Sequence, residues 1–353
     1  MNKLEAAWQS RGLLPCLLWP VSCVTYLLVG LRRLSYIARI KRQETATIPV
    51  IVVGNLSVGG TGKSPLTEAL VELFQEMDWR PGIVARGYGG NEIDTPQRVS
   101  ALSDPKAVGD EPVMLAKATG VPVCVCRDRA AAVAALAKSG EVDVVFSDDG
   151  LQHYRMGRDA EIVVVDERRG FHNGWMLPAG PLREPVSRLK SVDLIALHKS
   201  TRSLELTLPD TVLSGRFHLR QSNLLIIGDS GIEPVSKPLG LLAGVTVNAV
   251  AGIGDPERFF QQLALAGMHV IKHPKPDHHE WVVSDLTFDN THPIVITSKD
   301  AVKVRPLLEK ISLKAPVYEV RVKAILDAQL SQAVCAIEDR LHSRYRQHSK
   351  SIR

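Results

Sequence analysis

Several absences narrow what this chain can be. Its 353 residues carry 43 Lys and Arg against 38 Asp and Glu. The net charge of +5 is too small, as a total, to mark a nucleic-acid binder. The five cysteines are Cys16, Cys23, Cys124, Cys126 and Cys335. Their number is odd and no C-x-x-C occurs, which argues against a disulfide scaffold and a thiolate-bound metal and for a reducing compartment. Aromatic residues are scarce, at 5%. There is no internal repeat and no low-complexity tract. What remains is ordinary globular composition, 45% apolar and 23% charged, with length for one large domain or two of usual size.

Charge is also missing from one place. From Gly12 to Leu31 the sequence reads "GLLPCLLWPVSCVTYLLVGL". As a helix this is long enough to cross a hydrocarbon core. Pro15 and Pro20 suit a helix lying in the interface equally well. No small-residue cleavage site follows, which argues against a removable signal peptide. The next stretch, "RRLSYIARIKR", holds Arg32, Arg33, Arg39, Lys41 and Arg42 and no acid. Basic residues beside an apolar segment stay on the cytoplasmic side and attract anionic lipid. Residues 1–45 are therefore expected to tether a cytoplasmic body to membrane lipid. The plainer alternative is a buried N-terminal helix of the globular fold.

Apolar runs and amphipathic stretches then alternate. "IPVIVVGN", "PGIVARGY", "VPVCV", "VDVVFSDDG", "AEIVVVDE" and "VDLIALHK" read as buried strands. Leu66, Ala69, Leu70, Leu73, Phe74 and Met77 recur at helical spacing after the first. "GDEPVMLAKATG" reads as a helix with Asp110 or Glu111 near its cap. This pattern predicts an α/β fold, a mostly parallel sheet with helices on both faces. The texture changes near residue 215, so 46–215 is expected as a core and 216–353 as a smaller C-terminal α/β lobe. There "GIGDPERFF" hints at a dinucleotide loop, but Glu257 replaces the third glycine, and a plain strand–turn–helix is the better reading. The basic tail "RLHSRYRQHSKSIR" is expected to fray.

"GNLSVGGTGKSP" follows the first strand. The usual phosphate-loop pattern asks for glycine where Ser57 stands, and Pro65 follows the motif at once. The chemistry is nevertheless complete. Ser57, Val58, Gly59, Gly60, Thr61 and Gly62 can present backbone N–H groups to phosphate. Lys63 can reach the β and γ phosphates, and Ser64 can bind Mg²⁺. Ser57 costs little if it avoids positive φ, and proline is harmless in a helix's first turn. Such a loop calls for an acid at a neighbouring strand end. Asp148 and Asp149 qualify, either of them holding Mg²⁺ directly or through water. His153 could orient that pair or merely cap the segment.

Together with "ARGYGG", "GDEP", "SDDGLQHYRMGRDAEIVVVD", "NGWMLPAGPLREP", "LKSVD", "AGIGDPERFF", "DHH" and "TSKDAVK", this loop resembles the lipid A 4'-kinases, or tetraacyldisaccharide 4'-kinases. The resemblance covers nearly the whole chain. It implies a P-loop NTPase-like fold with an N-terminal membrane helix, at the cytoplasmic face of the bacterial inner membrane. It implies transfer of the γ-phosphate of ATP, with Mg²⁺, to the 4'-hydroxyl of an acylated disaccharide 1-phosphate. No nucleic acid or obligate protein partner is implied. Asp110 matches the family's catalytic aspartate, although a helix cap would explain it alone. His278 matches the histidine paired with it. Ser298 stands where glutamate is expected in "TSKDAVK". Lys63 and Arg183 would neutralise the moving phosphoryl group; for Arg183 a surface ion pair is the alternative. Tyr88 and Arg86 are candidates for nucleotide or sugar contact. A zinc site of His273, His278 and His279 competes for "HPKPDHHE", against which the adjacency of two histidines counts. A P-loop ATPase switch or metal-insertion ATPase acting on a protein partner is the rival function.

Overall fold

The computed structural model describes residues 6–91, 93–200, 204–227, 236–311 and 313–350. Helix α1 (Leu13–Ile37) takes in the uncharged run and part of the basic stretch after it. Strand β1 (Val50–Gly54) feeds the phosphate loop and helix α2 (Lys63–Glu76). Then come β2 (Pro81–Ala85), β3 (Gln97–Val99), a single turn α3 (Pro105–Val108), α4 (Asp110–Thr119), β4 (Val123–Val125) and α5 (Arg129–Ser139). Strands β5 (Val144–Asp148), β6 (Ala160–Asp166) and β7 (Leu194–His198) complete the first half. The long β8 (Leu213–Ile227) and short β9 (Ser236–Pro238) open the second. It continues through β10 (Thr246–Ala251), α6 (Pro256–Leu265), β11 (His269–Pro274), β12 (Ile294–Thr297), α7 (Ser298–Leu308), β13 (Val317–Leu326) and α8 (Ala328–Lys350).

One sheet runs through the described residues in the order β11-β10-β12-β13-β8-β7-β6-β1-β5-β2-β4-β3, with β9 on β8. Its pairs are parallel except β13 with β8, β8 with β9, and β3 with β4. Strands β1, β2, β5, β6 and β7 are buried at every residue, which is why they read as unbroken apolar runs. On one face α2 buries Leu66, Leu70, Val71 and Phe74. Ala69, Leu73 and Met77 pack partly buried against the same core, so the periodic face is the one foreseen. The other face has its own core around Leu56, Leu136 and Leu151. Two further cores, around Phe260 and around Trp281, belong to the second half.

Strand β1 lies between β5 and β6, parallel to both. Chain order therefore reverses beside β1, and in such sheets the crevice opens at the carboxyl ends of the strands. Those ends carry Asn55, Asp148, Asp149, Asp166 and His198.

The tail corrects an expectation. Helix α8 runs to Lys350 instead of fraying. Leu330, Ala333, Val334, Ile337 and Leu341 recur at three and four, and they bury against the first half's core. Arg344 and the Tyr345 hydroxyl both reach Asp159, at 2.9 and 2.8 Å. Of this stripe only Leu341 lies in the basic tail; the rest belongs to the helix before it. Residues 351–353 lie outside the described residues.

Helix α1 touches the body along its length. The Ser22 hydroxyl donates to the Met176 carbonyl at 2.8 Å and accepts from the Ala179 amide at 2.9 Å. Trp19 packs on Trp175, Arg33 donates to Ser191, and Tyr36 stacks on Tyr154. The rest of its surface exposes Leu13, Leu17, Val24, Leu28 and Leu31.

Candidate active site

The phosphate loop is built by β1, α2 and the segment before Arg183. Ser57 bridges to Leu182, and the Val58 amide donates to the Pro181 carbonyl at 2.9 Å. Ser57 is not among the described residues with positive φ, which explains how serine replaces glycine there. Gly59 and Gly62 are left-handed, with φ of 99° and 91°. A Cβ on Gly62 would come within 3.0 Å of the His198 ring, so this position needs glycine twice over. His198 faces the Thr61 carbonyl at 3.0 Å and stacks on Phe217. Burial, and then Arg258 beside it, push its pKa down to about 4, so the ring is neutral.

Lys63 and Ser64 open α2 within reach of the paired acids, which separate into distinct environments. Ser64 and Thr67 hydroxyls donate to Asp148 at 3.2 and 3.3 Å. Burial, with Glu111 adding, raises the Asp148 pKa to about 6. Asp149 instead accepts both arms of Arg183, at 2.9 and 2.7 Å, with Lys63 3.7 Å away. Burial works against its ionisation, but Lys63, Arg183 and Arg129 hold it well below the usual carboxylate range. Asn55 Oδ1 accepts from Lys63 at 3.2 Å and from Arg183, tying the two cations together. Arg183 is thus drawn into the site by its partners. His153 does not orient the acid pair; its ring lies 3.5 Å from Asp128, the cap of α5.

The second acid–base group spans the halves. His278 Nδ1 lies 3.2 Å from Asp110 Oδ2. Asp110 opens α4 and is 4% exposed, and its Oδ1 accepts from the Glu111 amide at 3.0 Å. Burial opposes its charge, yet the His278 hydrogen bond, Lys299 and Lys303 more than offset that and hold it ionised. The same hydrogen bond raises the His278 pKa. His278 and Asp149 have φ of 57° and 49°, left-handed values that non-glycine residues adopt only when their surroundings impose them. Tyr88 packs edge-on against His278, with centroids 5.2 Å apart. Of the rival zinc ligands, His273 faces Asn248 and His279 faces Asp285, so the three histidines have three separate partners. Ser298 donates to the Val320 carbonyl.

A cleft of about 960 Å³ joins the two groups. The loop from Gly59 to Ser64, both paired acids, Arg183, Arg86, Tyr88 and His278 line it, while Asp110 stands behind His278. Sequence reasoning missed Asn55, Arg129, Lys299 and Lys303. Asn55 had a signal, a polar residue ending an apolar strand. Arg129, donating to the Asp149 carbonyl, had none beyond its place at a helix start. The lysines stood within "TSKDAVK", where Ser298 drew attention.

Fold and site define the class: an α/β P-loop phosphotransferase with a cleft between its halves. A model of the tetraacyldisaccharide-1-P 4'-kinase family matches residues 14–339. A tetraacyldisaccharide 4'-kinase of Azoarcus sp. (strain BH72) is 46% identical over 323 residues, covering 90% of this chain and 91% of that one. One from Xanthomonas euvesicatoria pv. vesicatoria is 43% identical over 306 residues, covering 85% of each. The crystal structure of "apo" form LpxK from Aquifex aeolicus in complex with ATP superposes with a TM-score of 0.76. It is 27% identical and covers 93% of this chain and 99% of that one. The chain belongs to the tetraacyldisaccharide-1-P 4'-kinase family.

Proposed function

We propose that this protein transfers the γ-phosphate of ATP to the 4'-hydroxyl of a tetraacylated disaccharide 1-phosphate, a step of lipid A synthesis. The carrying observation is an intact phosphate loop and an Asp–His pair that line, or back, one cleft in a chain that matches this kinase family from residue 14 to 339. The loop from Ser57 to Ser64 holds the phosphates, with Lys63 and Arg183 neutralising charge on the moving phosphoryl group. Asp110 and His278 act together as the base that takes the hydroxyl proton.

The residues fit a magnesium ion. Ser64 and Asp148 already meet at 3.2 Å, and Mg²⁺ is commonly held by few protein oxygens plus water and phosphate. Ser64 and Asp148 would hold such an ion, and it would supply positive charge that offsets the negative charge of the reacting phosphates. Arg183 and Lys63 engage Asp149, which favours Asp148 as the nearer ligand and Asp149 as the anchor for the cations.

The acceptor is a lipid, and α1 suits it. Contacts from Trp19 to Tyr36 lay the helix along the body, which favours an interfacial position over a full span. Its exposed leucines would enter the lipid, with the cleft on the cytoplasmic face. For domains, we favour a core from 46 to about 215, a lobe beyond it, and α8 returning to pack on the core.

Incubation with γ-labelled ATP and a tetraacyldisaccharide 1-phosphate in detergent tests this reading. Label in the lipid at the 4' position is the expected result. Hydrolysis of ATP with no labelled lipid would overturn it in favour of an ATPase.

A further inference from the structure

We propose that Lys299 and Lys303 of α7 are positioning residues that set the proton state of the Asp110–His278 pair from the second half of the molecule. The inference rests on the reading of that pair as the base. The two lysines are four residues apart and so share one helix face. Lys303 Nζ lies 3.1 Å from Asp110 Oδ2, the same oxygen that faces His278. It also donates to the His279 carbonyl at 3.3 Å, which fixes the histidine-bearing loop. Lys299 Nζ lies 3.1 Å from Asp277, 3.5 Å from Glu111 and 3.4 Å from His278 Nε2.

That last contact selects a tautomer. An ammonium has donors and no acceptor, so it can face Nε2 only when that nitrogen keeps a lone pair. The ring proton then stands on Nδ1, which faces Asp110 Oδ2 at 3.2 Å. Lys299 thus favours a neutral imidazole, and Asp110 aligns it. The charges around the ring make this arrangement depend on the lysines. Asp110 and Glu111 come from α4, Asp277 from the loop, and Tyr88 is the neutral group opposite. Without α7, two carboxylates, Asp110 and Asp277, would face one histidine and favour its protonated form. Burial opposes the charge on Lys299, but Glu111, Asp110 and Asp277 outweigh it and keep the ammonium charged.

The sign follows. Lys299 lowers the tendency of His278 to protonate. Without it His278 holds its proton to higher pH, and the acid limb of kcat/KM moves up. Lys299→Met should shift that limb upward by about one pH unit. Lys299→Arg, which keeps the charge, should leave it near its original place. The KM for ATP should hold in both, since Lys299 makes no contact with the phosphate loop. Lys303→Met should lower kcat, with Lys303→Arg recovering most of it. An NMR titration of the His278 ring gives a readout independent of turnover, and Lys299→Gln serves if the methionine variant does not fold. An unmoved acid limb and an unmoved His278 titration in the neutral variants would overturn the proposal. Full activity of Asp110→Asn would instead remove the base reading beneath it, so the two failures can be told apart.

Discussion

From β1 to β7 the cleft is lined by strand ends and the loops that follow them. Beyond β8 it is lined by the loop into α6 and that helix's start, the loop around His278, the start of α7 and strand β13. The first half offers backbone amides and cations held by neighbours close in the same half, such as Asn55 and Asp149. The second half reaches over with side chains whose partners lie far away in sequence. His278 meets Asp110, and Lys299 meets Glu111. A further bridge, from Arg168 and Arg169 to Asp255, joins the halves beside the phosphate loop. The loop's contacts can thus form locally, whereas the Asp110–His278 pair exists only when both halves are in register.

This contrast is broken most sharply by a double-mutant cycle on Asp110 and His278. Each single alanine variant should lower kcat by roughly 10²–10⁴-fold, the usual loss for a general base. The double variant should lose little more than the worse single, because groups acting as a unit are not additive. Nucleotide affinity should barely change. Multiplied losses, in folded variants, would return Asp110 to the role of helix cap.

Lys63→Ala tests the other half. It should lower turnover by about 10²–10³-fold, the scale of losing one aimed charge-stabilising donor, with thermal stability near that of the parent. Near-normal turnover would mean that the loop is not where phosphate is transferred.

The same contrast governs what the sequence discloses. The phosphate loop, its strand and its helix are contiguous, so spacing alone displays their chemistry. Glycine at 59 and 62 and the periodic face of α2 were all legible. The Asp110–His278 pair spans 168 positions by its own numbering, and only family resemblance joined it. Lys299 and Lys303 were not found, since nothing local says which acid a helical lysine will meet. For His153 the residues alone leave the paired acids and a capping role open; its ring faces Asp128, the cap of α5, because β2 pairs with both β5 and β4 and so brings the segments after those strands near each other. The tail's helix is not legible in its own residues, because the apolar stripe that seats it lies mostly upstream, from Leu330 to Leu341.

Helix α1 belongs to neither half, and Ser22→Val asks how firmly it is attached. Ser22 is 4% exposed and its hydroxyl makes two hydrogen bonds to the body. Valine leaves the Ala179 amide and the Met176 carbonyl without that partner, at a cost of about 1–3 kcal/mol per stranded group. The expected outcome is faster proteolysis between residues 38 and 49, with phosphate transfer to detergent-dispersed acceptor largely kept. If protease sensitivity does not change, the helix is held by lipid and not by the body.

The smallest effect should come from Arg344→Ala. Arg344 pairs with Asp159 at 2.9 Å, but its side chain is 67% exposed. Exposed ion pairs contribute about 0–1 kcal/mol, because water screens them and a long side chain must be ordered to form them. Asp159 also keeps the Tyr345 hydroxyl and the Val50 amide as donors. Removing one donor of three therefore strands nothing. What holds α8 on the first half is its buried stripe from Leu330 to Leu341. Arg344→Ala should accordingly shift the thermal midpoint slightly and leave kcat alone. A drop of several kcal/mol in unfolding free energy would show that charge, rather than apolar burial, fastens the last helix to the core.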